Sequence, residues 1–383
     1  MLLRKDIDEK KAVYTKEDES GLILKGYLAF LDPPKPSAKK AISVLNKLGV
    51  EVKVLTGDND LVTKKICQEV GLDVKSLITG EQLEKMNDDE LKEICKTTNV
   101  FARLSPLQKE RVIHALHNNG HTVGYLGDGI NDAAALKASD VGISVNNAVD
   151  IAKESADIIL LKKSLMVLED GVILGRKTFG NIVKYVKMGS SSNFGNMLSM
   201  TGASIFLPFL PMLPIQILLN NFLYDLSQVA IPTDQVDDDY TVKPRPWNVR
   251  AITRFMVIIG PVSSLFDFLT YGLMLYVFNC WNNPALFRTG WFVESLCTQT
   301  LVIHIIRTAK IPFLESKPSR FLVFTSLVIV MLGIAIVFSP FAHGFGFVRP
   351  PAVYFVALFI MIIAYLFLVE TVKRWFVKRY GND

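Results

Sequence analysis

Cysteine is scarce in this chain of 383 residues, and its spacing carries no motif. The four cysteines are Cys67, Cys95, Cys280 and Cys297, and no two of them form a CxxC pair. A structural zinc site and a disulfide framework are therefore not expected. We expect four buried, reduced thiols.

A concentrated basic surface is also lacking. The chain has 42 Lys and Arg against 37 Asp and Glu, for a net charge of +5. Because this excess of positive charge is not concentrated in a basic stripe, nucleic acid is not an expected partner. The charges are unevenly distributed, because residues 1–188 hold 28 basic and 27 acidic side chains while residues 189–383 hold 14 and 10. This contrast predicts a soluble first half and a membrane-embedded second half.

Short apolar runs alternate with helical patterns in the first half. Strands are predicted at 22–31, 50–56, 122–126, 141–144 and 157–161, and helices at 37–49, from Asn59 to Gly71 and from Ser105 onward. Alternation at this spacing predicts an α/β domain with a parallel sheet, in which functional groups lie at the carboxyl ends of the strands.

Small residues and carboxylates follow two of these strands. Thr56-Gly57-Asp58 ends one strand, and Gly127-Asp128-Gly129-Ile130-Asn131-Asp132 ends another. Asp128 and Asp132 are hard oxygen ligands suited to Mg²⁺, and the glycines let the backbone approach an anion. Thr56 can donate to a phosphoryl oxygen and Lys109 can neutralise its charge. Each motif alone is typical of a turn, but their combination predicts a magnesium and phosphate site.

Three segments resemble the phosphorylation-domain motifs of P-type cation-transporting ATPases, within the haloacid-dehalogenase superfamily. They are TGD (56–58), FARLSPLQK (101–109) and GDGINDAAALKASDVGIS (127–144). The resemblance implies that Thr56, with Gly57 and Asp58 beside it, and Lys109 contact an aspartyl phosphate. It also implies that Asp128 binds catalytic Mg²⁺, that Asn131 and Asp132 support it, and that ATP is the substrate of the complete enzyme.

The family's nucleophile, the aspartate of a DKTGT motif, is absent from this sequence. Asp32 follows an apolar run as the nucleophile should, but Pro33 and Pro34 replace the required Lys-Thr and remove backbone donors, so a helix-capping role is expected. The TGES loop and a nucleotide-binding domain are missing as well. We expect the carboxyl-terminal portion of a pump, inactive alone, whose missing amino-terminal portion is its partner.

Six apolar segments in the second half predict a six-helix transmembrane bundle. They span roughly 189–207, 212–231, 255–279, 291–306, 321–341 and 352–372, and most reach the length needed to cross a bilayer. The opening residues are mostly polar, so topology is expected to come from these internal spans. The segments 232–254, 307–320 and 373–383 carry twelve Lys and Arg, against two in the opposite loops. This asymmetry predicts a multi-pass membrane protein with the soluble domain and carboxyl terminus in the cytoplasm. The family resemblance implies that the membrane is a bacterial plasma (inner) membrane.

Polar residues in the first two spans are the candidates for the transported cation. Asn193 and Asn196 share a helix face, as do Asn221 and Asp225, and an intramembrane carboxylate is a functional candidate by default. SSNFGN (191–196) and NNFLYDLS (220–227) resemble the family's cation-binding stretches. Calcium pumps commonly carry a glutamate at the position of Asn196, so the resemblance implies a site of lower charge, which suits Mg²⁺.

Other polar and aromatic residues of the spans receive structural expectations. Asp267 and Glu294 are expected to be interhelical partners, with a second polar pathway as the alternative, and His304 is expected to lie near the cytoplasmic interface. Trp291 is expected in an interfacial aromatic belt.

Residues 1–163 are predicted as a partial phosphorylation domain, 164–188 as a helical stalk and 189–383 as the transmembrane domain. A continuous helix from Ser164 to about Leu207 would be roughly 65 Å long. It would connect the phosphate site to Asn193.

The longest resemblances, at 164–196 and 290–308, are to bacterial magnesium-transporting P-type ATPases. This implies an ATP-driven Mg²⁺ importer. Three alternatives stay open: a membrane-tethered Mg²⁺-dependent phosphatase, a non-catalytic subunit of a split pump, and a P-type pump for another cation.

Overall fold

The computed structural model describes residues 2–5, 15–16, 20–27, 33–162 and 164–381. It divides into two compact units, one of residues 1–45 and 51–167 and the other of residues 46–50 and 168–383. Each unit is described by itself. The candidate helix cap Asp32 lies outside the described residues.

The described strands all belong to the first unit and form three small sheets. They are β1 Leu2–Arg4, β2 Ile23–Gly26, β3 Val54–Leu55, β4 Leu77–Thr79, β5 Val100–Ala102, β6 Gly124–Leu126, β7 Val141–Val145 and β8 Ile158–Leu160. β1 and β2 are antiparallel, whereas the sheets of order β3-β5-β4 and β6-β7-β8 are entirely parallel.

The predicted parallel α/β arrangement is confirmed, with two corrections. The strands are divided between two sheets, and β4 and β5 were not among the predicted strands. The predicted strand at 22–31 is described as a strand only over Ile23–Gly26, where it pairs antiparallel with β1. Residues 28–31 lie outside the described part of the chain.

Local capping explains where the helices of this part of the chain begin. They are α1 Ala38–Lys47, α2 Asp60–Glu69, α3 Gly80–Glu84, α4 Asp88–Thr97, α5 Pro106–Asn118, α6 Ala133–Ala138 and α7 Asp150–Ser155. Asn59 caps α2 by accepting from the backbone N–H of Val62 at 2.9 Å. Ser105 caps α5, with Pro106 at the first helical position and Gln108 closing a capping box. Both predicted helix starts are confirmed.

The second unit is helical throughout its described length. Its helices are α8 Val167–Phe206, α9 Pro214–Gln228, α10 Asp238–Thr241, α11 Val249–Gly272, α12 Pro284–Leu301, α13 Ile303–Ile306, α14 Arg320–Phe338 and α15 Ala352–Tyr380. α8 is continuous over 40 residues, as predicted to within three residues at either end.

Each of the six apolar segments contains a long helix. Three helical stretches are long and apolar enough to cross a membrane, namely Val249–Val277, Arg320–Phe338 and Ala352–Tyr380. The count of six spans stays a prediction.

Aromatic side chains dominate the larger core of the second unit, where Tyr271 and Phe287 pack around Trp291. Trp291 is only 2% exposed, so its predicted place in an interfacial belt is wrong. Its indole N–H is satisfied inside the bundle, by the Asp267 carboxyl at 2.7 Å. A buried hydrogen-bond acceptor, which the sequence pattern does not reveal, decides its position.

Candidate active site and membrane cation site

The start of α5 is bonded to both strand-end motifs of the first unit. The backbone N–H of Leu104, just before the cap, donates to the carbonyl of Thr56 at 2.9 Å. One turn further, Lys109 Nζ donates to Asp132 Oδ1 at 2.7 Å. The start of α5 is therefore bonded to both motifs, although the strands that precede them, β3 and β6, belong to separate parallel sheets.

Asp132 is held by three donors. Its Oδ1 accepts from Lys109 Nζ and from the Tyr125 hydroxyl, each at 2.7 Å, and its Oδ2 accepts from the Gly129 N–H at 3.1 Å. Burial raises the pKa of Asp132, but the hydrogen bonds from Lys109 and Tyr125 outweigh burial and hold the pKa below its ordinary value. Asp132 is therefore a carboxylate at neutral pH, and Lys109, 7% exposed, is fixed beside it.

Gly127 is required for this arrangement. A Cβ added at this position would lie 2.5 Å from the Cβ of Asp132, closer than two such atoms can approach. The absence of a side chain lets Asp132 fold back over the end of β6.

Thr56 and Asp58 form a small closed turn at the end of β3. The Thr56 hydroxyl donates to Asp58 Oδ2 at 2.9 Å and accepts from the Asp58 N–H at 3.1 Å. Thr56 must therefore release Asp58 before its hydroxyl can donate to a phosphoryl oxygen.

Asp128 differs from its neighbour Asp132 in being exposed, and no described residue donates a hydrogen bond to its carboxylate. Asn131 beside it is exposed as well. An accessible carboxylate with free lone pairs suits a Mg²⁺ ligand, whereas the lone pairs of Asp132 are largely used by protein donors. The donor set fits Mg²⁺ with Asp128 as the direct ligand and Asp132 as its support. Among the described residues, no cluster of three or more His, Cys, Asp and Glu side chains forms a complete metal site.

The four candidate cation ligands of the second unit differ in their exposure and partners. Asn193, Asn221 and Asp225 are exposed. Asn196 Oδ1 instead accepts from Gln299 Nε2 at 3.1 Å.

Asp225 lines a cavity of about 380 Å³ together with the buried side chains of Gln228 and Asn181. The Gln228 amide has no hydrogen-bond partner among the described residues. Polar groups without partners therefore border this cavity.

Two family models match separate parts of the chain. The model described as haloacid dehalogenase-like hydrolase matches residues 3–140, and the model described as cation transporting ATPase, C-terminus, matches residues 209–375. "Magnesium-transporting ATPase, P-type 1" of Escherichia coli K12 is 50% identical over 380 residues, which cover 98% of this chain and 42% of that protein. The chain is homologous to P-type magnesium-transporting ATPases over nearly its whole length.

Other P-type ATPases extend the comparison. "Magnesium-transporting ATPase, P-type 1" of Salmonella typhimurium LT2 is 53% identical over 369 residues, or 96% of this chain and 40% of that protein. "Calcium-transporting ATPase" of Bacillus subtilis is 33% identical over 235 residues, or 60% of this chain and 26% of that protein. The chain thus spans about two fifths of the length of the magnesium-transporting relatives it matches.

Sequence reasoning missed two residues that contact the candidate site residues. Tyr125 lies in an apolar strand, so nothing marked its hydroxyl as a donor to Asp132. Gln299, a polar residue in the fourth apolar segment, donates a hydrogen bond to Asn196. Only the polarity of Gln299 could have pointed to its role, because its partner Asn196 is 103 residues away in the chain.

Proposed function

We infer that this chain supplies the magnesium- and phosphate-binding part of the phosphorylation site, and part of the membrane cation path, of an ATP-driven Mg²⁺ importer. The observation that carries the proposal is the start of α5, which is bonded to Thr56 on one side and to Asp132 on the other. It brings a hydroxyl, an ammonium group and carboxylates to one place, the donor set that phosphoryl transfer requires.

Each site residue has a role that follows from its surroundings. Lys109 presents a fixed positive charge to a phosphoryl group, and Asp132 holds that charge in place. Asp128, with Asn131 beside it, would bind the catalytic Mg²⁺, which neutralises phosphoryl charge when bound. Thr56 donates to a phosphoryl oxygen once its hydroxyl leaves Asp58.

The nucleophile of the complete enzyme is proposed to come from polypeptide outside this sequence. β3 and β6 are each an edge of their parallel sheet, and each is followed directly by one of the two motifs. An additional parallel strand paired with both edges would end between Thr56 and Asp128. An aspartate at the end of such a strand would face Lys109.

The donor chemistry of the membrane residues supports Mg²⁺ as the transported ion. Asn193, Asn196 and Asn221 offer neutral amides, and Asp225 offers the one carboxylate of the set. A site of low charge suits an ion that keeps part of its hydration shell, as Mg²⁺ does. The relatives at 50% and 53% identity are named magnesium-transporting ATPases, whereas the calcium-transporting relative is at 33%.

Phosphoenzyme formation tests this proposal. The chain alone should incorporate no acid-stable phosphate from ATP, and co-expression with the DKTGT-bearing amino-terminal portion of a magnesium-transporting relative should restore Mg²⁺-dependent labelling. Asp128→Asn should abolish the restored labelling, while Asp89→Asn, on the exposed face of α4, should leave it unchanged. Labelling of the chain alone, or labelling insensitive to Asp128→Asn, would refute the assignment.

A further inference from the structure

Two carboxyl groups lie side by side in the interior of the helical unit. Asp267 on α11 is 1% exposed and Glu294 on α12 is 0% exposed. Trp291, which donates to Asp267 at 2.7 Å, lies three residues before Glu294 on α12, so Asp267 packs against the helix face that carries Glu294. Neither forms an ion pair with a lysine, arginine or histidine among the described residues, in contrast to the buried Asp234.

Asp267 is surrounded by hydrogen-bond donors. Trp291 Nε1 donates to its Oδ1 at 2.7 Å, and the Ser199 hydroxyl lies 2.6 Å from its Oδ2. The indole is a donor only, so Oδ1 must be an acceptor. This environment compensates a negative charge on Asp267.

Glu294 has none of this support. Neither of its carboxyl oxygens accepts a hydrogen bond from a conventional donor of the described chain. The nearby Thr298 hydroxyl is directed to the backbone carbonyls of Glu294 and Ser295, at 3.0 and 3.1 Å. An ionised carboxylate with no hydrogen-bond donor is among the costliest groups to bury.

We propose that Asp267 and Glu294 form a proton-binding site in which Glu294 is protonated and donates its hydrogen to the carboxylate of Asp267. The donor proton gives Glu294 a partner and gives Asp267 a further donor. The pair then carries one negative charge instead of two. Protonation is the only change that satisfies both carboxyls without a cation.

The other titratable groups near the pair are three tyrosines and a cysteine, whose ordinary pKa values lie above 7. They are Tyr271 on α11, Cys297 on α12, and Tyr354 and Tyr365 on α15. The Tyr354 hydroxyl donates to the Gly290 carbonyl at 2.6 Å, and the Tyr271 hydroxyl, 1% exposed, has no partner among the described residues. No group facing the pair supplies a compensating positive charge.

The proton site is connected to a candidate cation ligand through one helix. Ser199, which contacts Asp267, lies three residues after Asn196 on α8, so the two share a helix face. The charge of the pair therefore lies within about one helical turn of Asn196.

Infrared spectroscopy of the full chain in lipid nanodiscs tests the proposal directly. At pH 7 the wild type should show the carbonyl stretch of a protonated carboxylic acid, and Glu294→Gln should lack it. The band should shift when glutamate is labelled with ¹³C at its side-chain carboxyl and stay in place when aspartate is labelled. Labelling uses the wild-type protein, so it decides the question even where a variant does not fold.

Two further variants complete the design. Asp267→Asn should keep the band at a shifted frequency, because Glu294 stays protonated after losing its acceptor. Glu370→Gln is the matched control, since Glu370 pairs with Lys373 and Arg374 and is ionised, and it should leave the band unchanged. Absence of any protonated-acid band, or a band that responds to aspartate labelling alone, overturns the proposal.

Discussion

Single residues decide the geometry of the candidate active site, and the Asp132 carboxylate shows how. Its position depends on a positive charge at Lys109, a phenol at Tyr125 and the missing side chain of Gly127. Burial raises the pKa of the Tyr125 phenol, so the hydroxyl keeps its proton and stays a donor. Each contribution can be removed separately, which makes the arrangement testable.

Replacing Lys109 with methionine should loosen the end of β6. The substitution keeps an apolar stem and removes the charge, so Asp132 loses its strongest donor while half-buried. We expect the free energy of local opening at 124–132 to fall by about 1–3 kcal/mol, measured by hydrogen exchange on the full chain. Lys137→Met, at an exposed position on α6, is the control and should change it little. Equal protection in the two variants would contradict the role given to the ion pair.

Gly127 and Gly124 provide a matched pair of positions within one short segment. Gly127→Ala places a methyl group 2.5 Å from the Asp132 Cβ, whereas the same change at Gly124 meets nothing closer than 3.9 Å. We expect Gly127→Ala to cost about 1–3 kcal/mol of local stability and Gly124→Ala less than about 0.5 kcal/mol. Hydrogen exchange of residues 124–132 measures both. A Gly124→Ala effect as large as that of Gly127→Ala would show that strand flexibility, not contact with Asp132, is responsible.

At the scale of whole elements, Asp234 joins separate parts of the helical unit. Its carboxylate accepts from Lys184 on α8 and from Arg307 just after α13, both at 2.8 Å, and from the Ser319 N–H before α14 at 3.0 Å. Asp234 and Arg307 are each 1% exposed at the side chain. Loss of either partner leaves an uncompensated buried charge, which is more costly than the absence of the pair.

Acid should weaken the contacts that Asp234 makes with Lys184 and Arg307. Burial raises the pKa of Asp234, but the hydrogen bond from Arg307 and the charge of Lys184 outweigh burial and hold the pKa below its ordinary value of 3.8. A lowered folded-state pKa gives stability that is complete above the unfolded pKa and is lost as pH falls through the folded pKa. The melting temperature of the wild type in detergent should therefore fall more steeply below pH 4 than that of Asp234→Asn.

Asp238→Asn is the control for the acid experiment. Asp238 is exposed on α10, four residues from Asp234, and its removal should leave the wild-type slope intact. If Asp234→Asn retains the full slope as well, other carboxyls are responsible for the acid sensitivity.

Sequence reasoning succeeded for elements that are specified locally. The starts of α2 and α5 were predicted because Asn59 and Ser105 satisfy backbone donors within their own first turn. β4 and β5 were missed, whereas the equally short β6 and β8 were predicted from the apolar runs that contain them. Their pairing depends on contacts distant in the chain.

The candidate site likewise contains residues that the sequence identified and residues that it did not. The motif residues Lys109 and Asp132 were identified from their types and spacing, and in the structure they lie 2.7 Å apart. Tyr125 was not identified, because a tyrosine in an apolar strand is typical of packing and its partner is set by a turn of the backbone. The burial of Trp291 was likewise decided by Asp267, on another helix.

For the whole molecule, the distribution of basic residues predicts which loops share a side of the membrane. Lys317 and Arg349 flank the apolar helix α14 on opposite sides, and both are exposed. α14 has 19 residues, and at 1.5 Å per residue it is about 28 Å long, close to the thickness of the hydrocarbon core. The two residues should therefore face opposite compartments, with Lys317 in the cytoplasm because its loop carries the positive excess.

Cysteine labelling measures this directly, because the native cysteines are all buried. The cells have a permeabilised outer membrane and an intact plasma membrane. A membrane-impermeant maleimide should then label Arg349→Cys strongly and Lys317→Cys little. Inverted vesicles should reverse the order. Lys378→Cys, on the exposed part of α15, should follow Lys317→Cys, because an even number of spans returns the carboxyl terminus to the cytoplasm. Opposite behaviour of Lys317→Cys and Lys378→Cys would mean that α15 does not cross the membrane, and labelling of Lys317→Cys from outside would invert the proposed orientation.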